Sequence, residues 1–332
     1  MRIALSTNWN TRRHVEGEAI ADEILALGFD ALELGYHTTE EIAEGVLRRV
    51  REGAVTVDSV HAYCPVPVGA PHGYPELYLL ASLDEDERAM AAILLTRTLE
   101  FAVKMGARAV VLHAGRVFLK TLFREISTGT LAECLMEGDA DVAAEKYRRE
   151  LDKALRLRAK RVRKYFDGFC LSLDAMLPKF EKAGVALCLE NLPSVEAFPD
   201  ERELIMLKQR FNTSALAYWH DLGHGQTREH MGWIRHAEAA RDLLPFTKGV
   251  HIHDARPLME DHLPPGRGEI DFAAFNIYGG DNVIKVFEPA SEVEGTALAE
   301  ALRFIREVWS VPLEPEPLPI TSPECWNSGM LE

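Results

Sequence analysis

Four apolar, strand-forming runs in the second half of the chain each end on a side chain able to bind a metal ion. Cys188-Leu189 leads to Glu190, Trp219-His220 to Asp221, Gly249-Val250 to His251 and Val286-Phe287 to Glu288. Three acids and an imidazole, recurring at intervals of roughly 30 residues, are what a ring of parallel strands produces when its C-terminal ends converge on one point.

The same alternation extends through the whole chain. Short β-branched runs at residues 2–7, 31–34, 56–60, 109–112, 186–189, 216–219, 249–252 and 283–287 alternate with longer segments of helical period. Several runs show almost no polar alternation, as strands covered on both faces should. Gly28, Gly106 and Gly184 stand just ahead of strands, where helices are expected to stop. An open doubly wound sheet would usually carry a Gly-rich phosphate loop after its first strand, whereas this first run leads into Asn8-Trp9-Asn10-Thr11. The expected fold is α/β, a closed (β/α)8 TIM barrel over residues 1–310 with each strand followed by a helix. A chain of 332 residues, 47% of them hydrophobic, has room for one such barrel with additions.

Two regions break the regularity. About 70 residues separate the fourth run from the fifth, which predicts a helical insertion over about 117–180. Within it, residues 141–164 hold ten Lys or Arg against four Asp or Glu, with apolar positions at helical spacing. That pattern predicts a long amphipathic helix whose charges form a solvated face or a subunit contact in preference to a polyanion site. Residues 311–332, rich in Pro, Glu and Ser, read as an extended C-terminal tail that wraps the barrel or stays partly loose.

The formal charge of −15 argues against a nucleic-acid partner. No apolar run approaches a membrane span, and Asn8, Asn10, Arg12 and Arg13 arrive too early for a signal-peptide core. Cys64, Cys134, Cys170, Cys188 and Cys325 lack any C-x-x-C spacing and read as reduced thiols. A soluble cytoplasmic protein with a small-molecule substrate is expected; a homo-oligomer is left open.

In a parallel barrel the site lies at the C-terminal rim, where Glu190, Asp221, His251 and Glu288 all fall. Three carboxylates and a neutral imidazole make a shell of mostly hard oxygen donors, which suits Mn²⁺, Mg²⁺ or Co²⁺ and tolerates Zn²⁺. One divalent cation is expected, Mn²⁺ first and Zn²⁺ next. Burying that many carboxylates without one would cost several kcal/mol per charge. His61 and His113 end strands three and four, His224 follows Asp221 by three residues, and Glu260, Asp261 and His262 fall in the loop after strand seven. Glu33, ending strand two, suits a substrate contact and an arginine pair equally. His37, His72, His230 and His236 are assigned to the surface.

Ser59-Val60-His61, Leu112-His113-Ala114-Gly115, Leu189-Glu190-Asn191, Asp221-Leu222-Gly223-His224 and His251-Ile252-His253-Asp254 stand in an order that resembles the xylose isomerase-like TIM-barrel superfamily. That superfamily includes sugar isomerases and epimerases and the endonuclease IV type of apurinic-site nuclease, and the resemblance runs from Met1 to about Trp309. In its ketose 3-epimerases, positions matching Glu190, Asp221, His251 and Glu288 hold one metal. The Pro264-Pro265-Gly266-Arg267-Gly268 run also resembles a loop of those epimerases. Arg256 lies one residue short of the spacing of their substrate-binding arginine. The nuclease branch uses three zinc ions; His61, His113 and His224 match three of its extra ligands, and its Asp-x-His is met here by Glu260-Asp261-His262, with Glu in place of Asp. A second or third Zn²⁺ therefore stays open.

The resemblance implies a metal-dependent isomerase or epimerase of a ketose or related polyol, working by proton abstraction and an enediolate intermediate. Glu190 and Glu288 would remove and return the proton from opposite sides. His61, His113, His224 and His262 would then bind hydroxyls or the far end of the substrate. The alternative is a metal-dependent hydrolase with two or three ions, acting on a small-molecule ester, amide or phosphodiester.

Overall fold

The computed structural model describes residues 1–136 and 139–310, and the eight expected runs form one closed parallel barrel in it. Its strands are β1 (Ala4–Ser6), β2 (Ala31–Leu34), β3 (Val57–His61), β4 (Ala109–Leu112), β5 (Ala186–Glu190), β6 (Leu216–Asp221), β7 (Thr247–Ile252) and β8 (Ile284–Phe287). β8 pairs with β1 and completes the ring.

Period-two alternation explains what each strand does. Ala31, Ala109 and Val111, Ala186 and Cys188, Ala217 and Trp219, and Ile284 and Val286 form a small buried cluster of their own, the side chains that fill the barrel axis. The alternate residues, among them Leu32, Leu34, Val110, Leu112, Leu187, Leu189, Val250 and Ile252, join the larger core shared with the helices. Gly249 leaves the gap that Trp219 fills, since a Cβ there would lie 2.1 Å from the indole ring.

The helices are α1 (Gly17–Ala26), α2 (Glu40–Arg51), α3 (Glu85–Met105), α4 (Thr128–Leu135), α5 (Ala140–Ala183), α6 (Glu201–Phe211), α7 (Leu222–His230), α8 (His236–Leu243) and α9 (Gly295–Val308). One expectation fails here: β7 is followed by no α-helix. Its crossover is an antiparallel hairpin, Asp254–Arg256 with Glu260–Leu263, then a 3-10 helix over Phe272–Tyr278. The reason is local. Asp254 accepts from the backbone N–H groups of Ala255, Gly266, Gly268 and Ile270, and Pro264 and Pro265 have no N–H to give a helix.

The insertion is helical as expected, with α5 running 44 residues and well past the basic stretch. Its C-terminal half buries Tyr165, Phe169, Leu173, Met176, Leu177 and Phe180 in the core. The basic stretch itself is more than a solvated face. Arg158 is buried and donates to both oxygens of Glu203 at 2.6 and 2.8 Å, to Asp200 at 3.0 Å and to the Ala197 carbonyl at 2.7 Å. The expected C-terminal tail and Cys325 lie outside the described residues. Among those residues, no helix is long and apolar enough to cross a membrane.

Candidate metal centre

The alternation that fills the axis also builds the site. Counting by twos from Cys188, Trp219, Gly249 and Val286 reaches Glu190, Asp221, His251 and Glu288, so all four side chains stand above the axis at the C-terminal rim. Each offers a ligand atom, and those atoms lie within 4.8 Å of one another. His251 Nδ1 is the hub, 3.2 Å from Glu190 Oε1, 3.2 Å from Glu288 Oε2 and 3.6 Å from Asp221 Oδ2.

Two further groups adjoin this one. His61 Nε2 and His113 Nε2 lie 3.1 and 3.2 Å from Glu190 Oε2, so the two oxygens of Glu190 face different imidazoles. On the other side His224, His253 and His262 gather. His253 Nε2 lies 2.9 Å from Asp221 Oδ2, and its ring stacks on His262 with centroids 4.1 Å apart.

Burial opposes the charge of Glu190, but His251 and His113 outweigh it and hold the carboxyl well below its ordinary range. Asp221 is held down in the same way, against burial, by His224 and His253. Burial likewise disfavours charge on His251, and Glu288, Glu33 and Glu190 overcome it, raising the imidazole well above its usual value. The raised His251 imidazole thus stands among the acids in a place that a divalent cation could take over as the ring gives up its proton.

The tautomers suit that exchange. His61, His224 and His262 each place Nδ1 at 2.7–3.1 Å from a backbone carbonyl, those of Ala62, Asn191 and Glu288. Donating there leaves the Nε2 lone pair of each free for a ligand. The donor set therefore fits a divalent cation.

Other sequence expectations fare differently. Arg256 and Glu260 are exposed on the hairpin, 3.5 Å from each other and outside the three groups. Glu33 has neither an arginine partner nor an exposed face: it is buried against His251 and Ser59. His72 is exposed as expected, and His230 is mostly covered. His236 is a correction. It is buried with Nε2 3.0 Å from His220 Nε2, and His220 Nδ1 lies 2.7 Å from the Tyr278 hydroxyl. Burial keeps both rings neutral, with His220 pushed down to about 3.

Sequence reasoning also missed His253, although it stands two residues beyond His251, just past the end of β7. Missed too was the wall of a cavity of about 230 Å³ beside Glu288 and His262, formed by Asn8, Arg12, Tyr36 and His37 together with 289–292. His37, expected on the surface, is half-buried there.

Gly223 supplies one test of the third group, because a Cβ at that position would come within 1.9 Å of the His253 ring. Gly223→Ala is expected to displace His253 from Asp221 and to cost about 1–3 kcal/mol. Urea denaturation and the histidine ¹⁵N spectrum would report the two effects separately.

A parallel eight-stranded barrel with acids and imidazoles gathered at its C-terminal rim places the protein among the TIM-barrel proteins with a metal-capable centre. Residues 21–308 match the family model of the xylose isomerase-like TIM barrel, and the chain belongs to that family. No curated protein matches the sequence. Among solved structures, a D-tagatose 3-epimerase-like protein is 17% identical with a TM-score of 0.64, covering 93% of this chain and 97% of its own. The 3-keto-D-glucoside 4-epimerase YcjR from E. coli is also 17% identical, with a TM-score of 0.64 and coverage of 92% and 99%. The IOLI protein with a binding zinc atom is 14% identical, with a TM-score of 0.58 and coverage of 95% and 100%. At these identities the likeness is one of fold.

Proposed function

We propose that the protein is a divalent-metal-dependent epimerase or isomerase of a ketose or related polyol. The observation that carries this reading is the hub at His251 Nδ1, with Glu190 and Glu288 each 3.2 Å away. Glu190, Asp221, His251 and Glu288 would hold the ion, with Mn²⁺ preferred and Zn²⁺ next. A bound divalent ion supplies electrostatic stabilisation for charge developing on two adjacent substrate oxygens.

Glu190 and Glu288 reach the hub from different strands and flank a substrate placed over it. One carboxylate takes a proton from carbon and the other returns one from the opposite face, giving an epimer; return to the neighbouring carbon gives an isomer. Asn8, Arg12, Tyr36 and His37 line the cavity beside Glu288 and offer hydrogen bonds to hydroxyls. At about 230 Å³ it is smaller than typical drug-sized sites of roughly 300–1,000 Å³, a size suited to a small polyol. The sugar 3- and 4-epimerases that share the fold support the same class.

A second reading has its own observation. His61, His113 and Glu190 form one additional group and His224, His253 and His262 another, an arrangement that favours a hydrolase with two or three ions. Metal analysis of the purified protein, combined with deuterium uptake from solvent into a panel of ketoses, separates the two. One ion per chain with deuterium at the carbon next to the carbonyl is expected for the epimerase. Two or three ions without exchange would favour hydrolysis, and a chain that takes up no ion would sink both.

A further inference from the structure

Glu33 is a fourth acid at the centre, and the proton-transfer reading gives it no task. It is the penultimate residue of β2, on the axis-facing side one alternation above Ala31, and is fully buried. Its oxygens lie 3.1 and 3.2 Å from His251 Nε2, and the Ser59 hydroxyl donates to Oε2 at 2.7 Å. We infer that Glu33 is a positioning residue for the metal centre: by accepting Nε2–H of His251 it fixes which nitrogen faces Glu190, Asp221 and Glu288. The inference rests on the metal reading above.

The aromatic packing around His251 does not perform this task. The His61 ring lies parallel to it, 5.8 Å between centroids and 5° between planes, and Trp219 meets it edge-on at 5.2 Å. Those neighbours set the plane of the ring but do not distinguish its two edges. A half-turn would keep the plane while bringing Cδ2 against three carboxylates and Cε1 against Glu33, losing the hydrogen bonds on both sides. With Glu33 in place, Nε2 carries the proton, Nδ1 would offer its lone pair to a bound ion, and the carboxylate would strengthen the imidazole as a donor. Ser59 holds Glu33 by one oxygen, so the order of support runs from β3 to β2 to β7.

The test uses the full chain stripped of metal, titrated calorimetrically with Mn²⁺ alone, and compares the native protein with Glu33→Ala, Glu33→Gln and Ser59→Ala. Glu33→Ala is expected to weaken binding about 10–100-fold, the usual range for loss of such a partner. Glu33→Gln keeps an acceptor oxygen and should lose less, and Ser59→Ala less again. A second readout needs no activity: in the zinc-loaded native protein, ¹⁵N spectra should show His251 with Nδ1 ligated and Nε2 protonated, and the Glu33→Ala protein should lose that signature. Should Glu33→Ala fail to fold, Glu33→Gln and Ser59→Ala carry the comparison. Unchanged affinity in all the folded variants, or native His251 ligated through Nε2, overturns the role of Glu33 and leaves the metal centre standing. A native protein that binds no Mn²⁺ overturns the metal reading, and this inference with it.

Discussion

Glu190→Gln is expected to lower kcat/KM by at least about 10³-fold and to empty the centre of metal while the barrel stays folded. The double effect follows from how its oxygens are used, Oε1 facing His251 and Oε2 facing His61 and His113. A glutamine must turn an NH₂ group toward one side, and an N–H cannot ligate an ion. Glu288→Gln should remove turnover to a similar degree yet keep more of the metal, because Glu288 belongs to only one of the three groups. Circular dichroism, metal content and deuterium uptake measured on both variants would resolve the pattern. An active Glu288→Gln protein would take away that residue's part in proton transfer. A metal-loaded Glu190→Gln protein would show that the carboxylate does not organise the ions.

The largest effect on stability is expected outside the three groups of the centre. Arg158→Ala should cost about 3–5 kcal/mol, the usual penalty for leaving one buried partner of an ion pair uncompensated. Glu203 would lose both of its hydrogen bonds from Arg158, and the Ala197 carbonyl would lose its donor. Replacing the pair together, with Arg158→Met and Glu203→Leu, should recover much of the loss, since two charges are then removed from the interior. Denaturant unfolding of the three proteins checks this, and a cost below about 1 kcal/mol for Arg158→Ala would mean that α5 is held by its apolar half alone.

How much of this was legible in the sequence depended on how local each signal was. Strand positions came through because their apolar runs are continuous, and the rim acids because each directly follows such a run. The crossover after β7 was misread because Asp254 acts by collecting amides as far away as Ile270, a pattern that strand and helix periods do not register. Helix α5 was legible chiefly over its basic stretch, and it continues past it because Phe169, Leu173, Met176 and Phe180 find the core. His236 looked like a surface residue between Arg235 and Glu238, and its partners His220 and Tyr278 come from distant elements. The partner of Glu33 was illegible for the same reason, since the imidazole it meets is 218 residues away.

The closure of β8 on β1, pairing Val286 with Ala4, has a consequence for biosynthesis. Glu288 comes just after β8, so the ribosome delivers the fourth donor only when nearly the whole ring has been made. Ring closure between such distant segments is slow, because the entropy of joining them must be overcome first. Glu288 therefore joins Glu190, Asp221 and His251 only as β8 closes on β1, so the four-residue group assembles with the ring and not before it.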